Sequence, residues 1–111
     1  MLEAAHTDRI FAALADQTRR DILLRAMAGG EGVAQLASHY PMSFAAVQKH
    51  VAVLEKAGLV TKQREGRRLV VTTRLEGLQA VRRLLDEYEE LWRGRVDRMA
   101  ELLQGSEEEW A

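Results

Sequence analysis

The sequence predicts a mainly α-helical fold carrying one small β-hairpin. Three observations support this. Apolar residues recur at helical spacing along most of the chain. The period switches to alternation only between Val60 and Thr73, on either side of Gly66-Arg67. A last helical stretch, Leu75 to Leu103, carries more apolar residues than one small core can use.

From Thr7 to Met27 the helical pattern rests on Ile10, Phe11, Leu14, Ile22, Leu23 and Met27. Ala15 breaks it, and Asp16 suits the N-cap of a second helix with Arg19 and Arg20 in its first turns. Gly29, Gly30 and Gly32 form the following loop. The segment VAQLASHY predicts a short helix with Val33, Leu36 and Ala37 inward, closed by Tyr40-Pro41-Met42. Ser43 then caps a helix that ends at Gly58. On it Val47, Val51 and Leu54 share one face, continued by Ala57 and Leu59. Ala45, Gln48, Lys49, Ala52 and Lys56 are left on other faces.

A short helix, a tight turn and a second amphipathic helix make a helix-turn-helix over about residues 33–58. Val60–Glu65 and Arg68–Thr73 flank a Gly-containing turn and read as a hairpin. A basic hairpin placed there is a wing, about residues 60–73. In the last stretch Leu78, Val81, Leu85, Tyr88, Trp92, Met99 and Leu102 recur by threes and fours, and Leu84, Leu91, Val96 and Leu103 widen the stripe. Arg95 interrupts the heptad-like series, so a long coiled coil is not expected. Gly105 is expected to end this helix before an acidic tail. The fold class is therefore a winged helix-turn-helix with a long C-terminal helix, in a single domain over residues 1–111.

A chain of 111 residues allows one modest core. The absence of cysteine excludes disulfides, thiolate metal sites and a Cys nucleophile. With no leader-like start and no membrane-length apolar run, the expectation is a cytoplasmic protein with no membrane partner. Net charge is only −1, but it is unevenly placed. Lys49, Lys56, Lys62, Arg64, Arg67, Arg68 and Arg74 face only Glu55 and Glu65, and the balance reverses after Arg74. A basic middle and an acidic end suggest one surface for a polyanion and another for something else.

The Ser43–Leu59 helix has the division that major-groove entry needs: small residues for close approach, an amide for bases, and lysines for phosphates. Arg67 and Arg68 at the wing tip suit phosphates or a neighbouring minor groove, the alternative being a solvated turn. Tyr88 and Trp92 are natural anchors for a second copy of the chain, the alternative being intrachain core. Enzyme chemistry is not expected. Ser38-His39 is only a neighbour pair, and no glycine-rich phosphate loop occurs. His6, His39 and His50 are isolated, and His50 suits packing or hydrogen bonding better than metal ligation. No cofactor and no metal are expected.

These residues together resemble the ArsR-type winged helix-turn-helix transcriptional regulators, from about Thr7 to Leu103. ALADQTRRDILLRAM is similar to the family's opening, with Gln17 where proline is usual. MSFAAVQKHVAVLEKAGLVTKQREGRR resembles the recognition helix and wing, and YEELWRGRVDRMAELL a dimer-forming last helix. The resemblance implies a homodimer on a roughly palindromic operator of double-stranded DNA, usually repressing. By position Ser43, Phe44, Ala45, Gln48 and Lys49 match the DNA-facing part of the recognition helix, and Arg64, Arg67 and Arg68 match the wing. Lys56 and Lys62 join them as phosphate contacts. Leu78, Val81, Leu85, Tyr88, Trp92 and Met99 are expected at the dimer interface. Gln48 replaces a common small serine and suits an adenine edge.

The chain departs from the family's metal sensors, since VAQLAS has no thiol and the long helix no histidine. A second reading is a winged-helix protein–protein interaction module without specific DNA binding. A third adds a small apolar effector held between helices near Trp92.

Overall fold

The computed structural model describes residues 2–110, with side chains over 4–105. The elements are α1 (Leu2–Leu14), α2 (Gln17–Ala28), α3 (Val33–Ala37), α4 (Phe44–Lys56), β1 (Val60–Glu65), β2 (Arg68–Thr73) and α5 (Leu78–Trp110). This is the expected winged helix-turn-helix with a long last helix. The chain divides into two units, Met1–Val81 and Arg82–Ala111.

Each boundary in the first unit has a local cause. Asp16 caps α2 by accepting from the Arg19 amide at 3.0 Å. That bond, ahead of the charge of the Arg19 guanidinium, holds the Asp16 carboxyl below its ordinary value. Arg19 also donates to the α1 carbonyls of Ala13 at 2.8 Å and Ala12 at 2.9 Å, closing the corner between the helices. Gly32 opens α3, and its amide donates back to Gln35 Oε1 at 3.1 Å. Ser43 Oγ accepts from the Ala46 amide at 3.1 Å and starts α4.

The end of α4 is a Schellman motif. The Leu59 amide donates to the Leu54 carbonyl and the Gly58 amide to the Glu55 carbonyl, both at 3.0 Å. Gly58 takes φ +75°, a region that disfavours any side chain. The chain enters β1 directly from this cap. β1 and β2 pair antiparallel with Glu65 opposite Arg68, so Gly66-Arg67 alone makes the turn. Gly66 has φ +62° and Arg67 a negative φ, the pattern of a type II′ turn. On its other edge β2 bridges to Gly32 through Val70.

The core gathers Ile10, Ile22, Leu36, Val47, Val51, Leu54, Leu59, Val60 and Val71 from every element of the first unit. Several expectations need correction. Helix α1 starts before Thr7, at Leu2. Phe11 and Met27, counted in the helical apolar pattern, are exposed, while their neighbours Ile10 and Ala26 are buried. Leu78 and Val81, read as interface, pack on the core of the first unit, with Val81 only 7% exposed. Helix α5 runs through Gly105 to Trp110. One glycine costs a helix only about 1 kcal/mol, too little to end it without a competing cap.

One polar cluster ties the turn before α4 to α2. The Tyr40 hydroxyl donates to Asp21 Oδ2 at 2.6 Å, and Arg25 Nε donates to the same oxygen at 3.0 Å. These bonds, Tyr40's first, hold Asp21 below its ordinary value, while burial and then Asp21 push Tyr40 up to about 12. Asp21's share of stability is therefore in place above pH 3.8 and fades as pH falls through its lowered value. Tyr40's share is in place below pH 10.0 and is lost as pH rises through about 12. In urea melts at neutral pH, Tyr40→Phe should lose about 1.5–3 kcal/mol, the weight of a hydrogen bond to a charged group. The gap to wild type should narrow in acid.

Candidate nucleic-acid interface

The buried face of α4 (Val47, Val51, Leu54) dictates what its other face shows. Ser43, Phe44, Ala45, Gln48 and Lys49 are all exposed, on the first half of the helix. Ser43 uses an oxygen lone pair for the cap and keeps its hydroxyl proton to donate. Among the described residues, Gln48 and Lys49 have no hydrogen-bond or ion-pair partner. An amide and an ammonium group, both free and one residue apart, are able to meet bases and phosphates without first breaking an internal bond.

The wing cations divide into two sets. Arg64 and Arg67 are exposed, and with Lys56 they have no partner among the described residues. Lys62 instead pairs with Glu55 at 3.7 Å. Arg68 turns away from the tip and donates to the Gly30 carbonyl and, at 3.2 Å, to Gln35 Oε1. That same oxygen takes the Gly32 amide, so Arg68 docks the wing on the loop that opens α3. Sequence reading placed Arg67 and Arg68 together at the tip. Strand alternation does separate neighbours, but nothing local marks a partner 33 residues away.

A groove of about 450 Å³ runs between the start of α3, the first turns of α4 and the wing. Its lining includes Val33, Phe44, Gln48, Arg67 and Leu69.

His50, on α4, completes the corner built by Asp16 and Arg19. Its Nδ1 lies 3.3 Å from the Arg19 guanidinium and 4.0 Å from Asp16 Oδ1. Arginine can only donate, so Nδ1 is the acceptor in the contact with Arg19. The imidazole thus anchors the recognition helix to the α1–α2 junction. His39 pairs with Glu31 at 3.1 Å. Among the described residues, no group of three or more His, Asp or Glu side chains is placed to hold a metal ion.

In the second unit, α5 exposes Leu85, Tyr88, Leu91, Trp92, Val96 and Met99, with Leu102 and Leu103 beyond. Trp92 is 64% exposed. No helix among the described residues is long and apolar enough to cross a membrane.

No protein-family model matches the chain. It is 42% identical over 81 residues to the HTH-type transcriptional regulator Rv2034 of Mycobacterium tuberculosis, covering 73% of this chain and 76% of that one. It is also similar to an ArsR family transcriptional regulator of known crystal structure, at 34% identity and a TM-score of 0.75, covering 81% of this chain and 93% of that one. A third likeness is to Mb0332 of Mycobacterium bovis, a homodimeric winged helix-turn-helix DNA-binding domain and possible ArsR-family regulator. There the identity is 25% and the TM-score 0.60, over 78% of this chain and 81% of that one. The chain therefore belongs to the ArsR family of DNA-binding helix-turn-helix transcriptional regulators, a family of regulators and not of enzymes.

Proposed function

We infer that the protein is a homodimeric repressor of a roughly palindromic operator. The observation that carries this is the free, exposed set Gln48, Lys49, Arg64 and Arg67, presented by a rigidly capped α4 and an adjoining wing. Gln48 reads an adenine edge, Ser43 and Lys49 assist, and Lys56, Arg64 and Arg67 neutralise phosphates. Lys62 and Arg68, engaged within the chain, shape the wing more than they bind.

The dimer is supported by the apolar stripe of α5. Leu85, Tyr88, Trp92, Val96, Met99 and Leu103 follow helical spacing and are all substantially exposed in one copy of the chain. The Mycobacterium bovis relative, itself described as homodimeric, supports the same state. Two-fold symmetry then sets paired recognition helices about one DNA turn apart, on half-sites of a palindrome. Occupying an operator in this way blocks a promoter. Such a protein works where the chromosome is, in line with the cytoplasmic location expected from the sequence.

The test is fluorescence anisotropy of the full chain against its own upstream DNA and a scrambled duplex, across a salt series. Specific, salt-sensitive binding at two protomers per site is expected, and equal weak binding to both duplexes would instead favour the protein–protein module. Arg67→Ala should weaken binding to all sequences and flatten the log–log salt slope by about 2 per dimer, leaving the melting temperature unchanged. Arg68→Ala should lower the melting temperature, since it undocks the wing. Gln48→Ala should relax discrimination at one base position by about 1–3 kcal/mol. Trp92→Glu should yield monomers in sedimentation velocity and weaken operator binding by more than about tenfold, as loss of an interface anchor does.

A further inference from the structure

Phe44 occupies the first position of α4, and its ring is 47% exposed. The rest of that DNA-facing half is small, polar or charged. One helical turn further along stands Gln48, free of partners. Both line the groove beneath the wing, where Val33, Ala34 and Leu69 extend the apolar wall. The lining contains two arginines and no carboxylate. The ring is thus part of a continuous apolar surface beside an amide, on an electropositive face, and not a scattered surface residue.

We propose that Phe44 reads the 5-methyl group of a thymine adjacent to the adenine taken by Gln48, so that the two side chains recognise a paired A and T as a unit. This rests on the DNA-binding reading given above. Residues four apart on a helix stand about 6 Å from one another. Stacked base pairs are about 3.4 Å apart, so a separation of about 6 Å spans one to two base-pair steps, the neighbouring level included. In the major groove thymine offers O4 and an apolar methyl group, and a phenyl ring can engage only the methyl. Cytosine at that position lacks the methyl group and gives the ring nothing apolar to contact.

The test is selection of bound duplexes from a random-sequence library amplified with either dTTP or dUTP, which differ only by the methyl group. Wild-type protein should enrich an adenine beside a thymine from the dTTP library. The thymine preference should fall about fourfold with dUTP, the weight of one buried methyl group. Phe44→Leu should keep a methyl dependence. Phe44→Ala, with an unchanged melting temperature, should enrich the same adenine and respond identically to both libraries. Gln48→Ala should lose the adenine. An equal thymine preference with dTTP and dUTP, or one that survives in Phe44→Ala, overturns the proposal while leaving specific DNA binding intact. Failure to enrich any sequence from either library overturns the operator reading along with it.

Discussion

The structure depends on the burial of one helix face. Val47, Val51 and Leu54 of α4 are fully removed from solvent beneath α2, α3 and the hairpin, and they leave the helix no freedom to roll about its axis. A roll of one residue, about 100°, would bury Gln48 and expose Val47, at the cost of an unsatisfied amide and a lost apolar contact. The direction of the exposed side chains of α4 is therefore set by packing. The polar anchors then set where the helix lies along its axis. Ser43 fixes its start, the Schellman motif at Gly58 its end, and His50 its seat on the Asp16–Arg19 corner.

How much of this was legible in the sequence follows from the range of each interaction. The division of α4 into buried and exposed faces, the caps at Asp16 and Ser43, and the two-residue turn at Gly66-Arg67 all arise within a few residues, and pattern reading finds such features. The partners of Arg68 and Tyr40 lie 33 and 19 residues away, and no spacing rule announces them. The apolar residues of α5 suggest one face for the chain's own domain and another for a second copy, but spacing places Leu78 and Val81 with the second, whereas they belong to the core of the winged unit. Periodicity reports that a residue is apolar on a given helix face. It does not report which neighbour covers that face, and here the cover changes along a single uninterrupted helix.

The charge map gains meaning in the same way. Counted along the sequence, the middle segment holds a nearly unbroken set of cations. In three dimensions Lys62 is balanced by Glu55 and Arg68 donates to Gly30 and Gln35, which leaves the free charge on Lys49, Lys56, Arg64, Arg67 and Arg74. A smaller set of unpaired cations is a sharper footprint than the sequence count suggests, because only an unpaired cation reaches a phosphate without giving up an internal partner.

The docking of Arg68 has a thermodynamic consequence. Both of its acceptors, the Gly30 carbonyl and the Gln35 amide oxygen, are neutral, so this docking contact is not itself an ion pair. Dissolved ions screen charge–charge attraction far more than they weaken a hydrogen bond to a neutral group. The docking of the hairpin through Arg68 therefore weakens little at ionic strengths that screen its exposed cations. Its ordering entropy is settled within the chain, and what ionic strength controls is the reach of the exposed cations on a surface whose shape is already set.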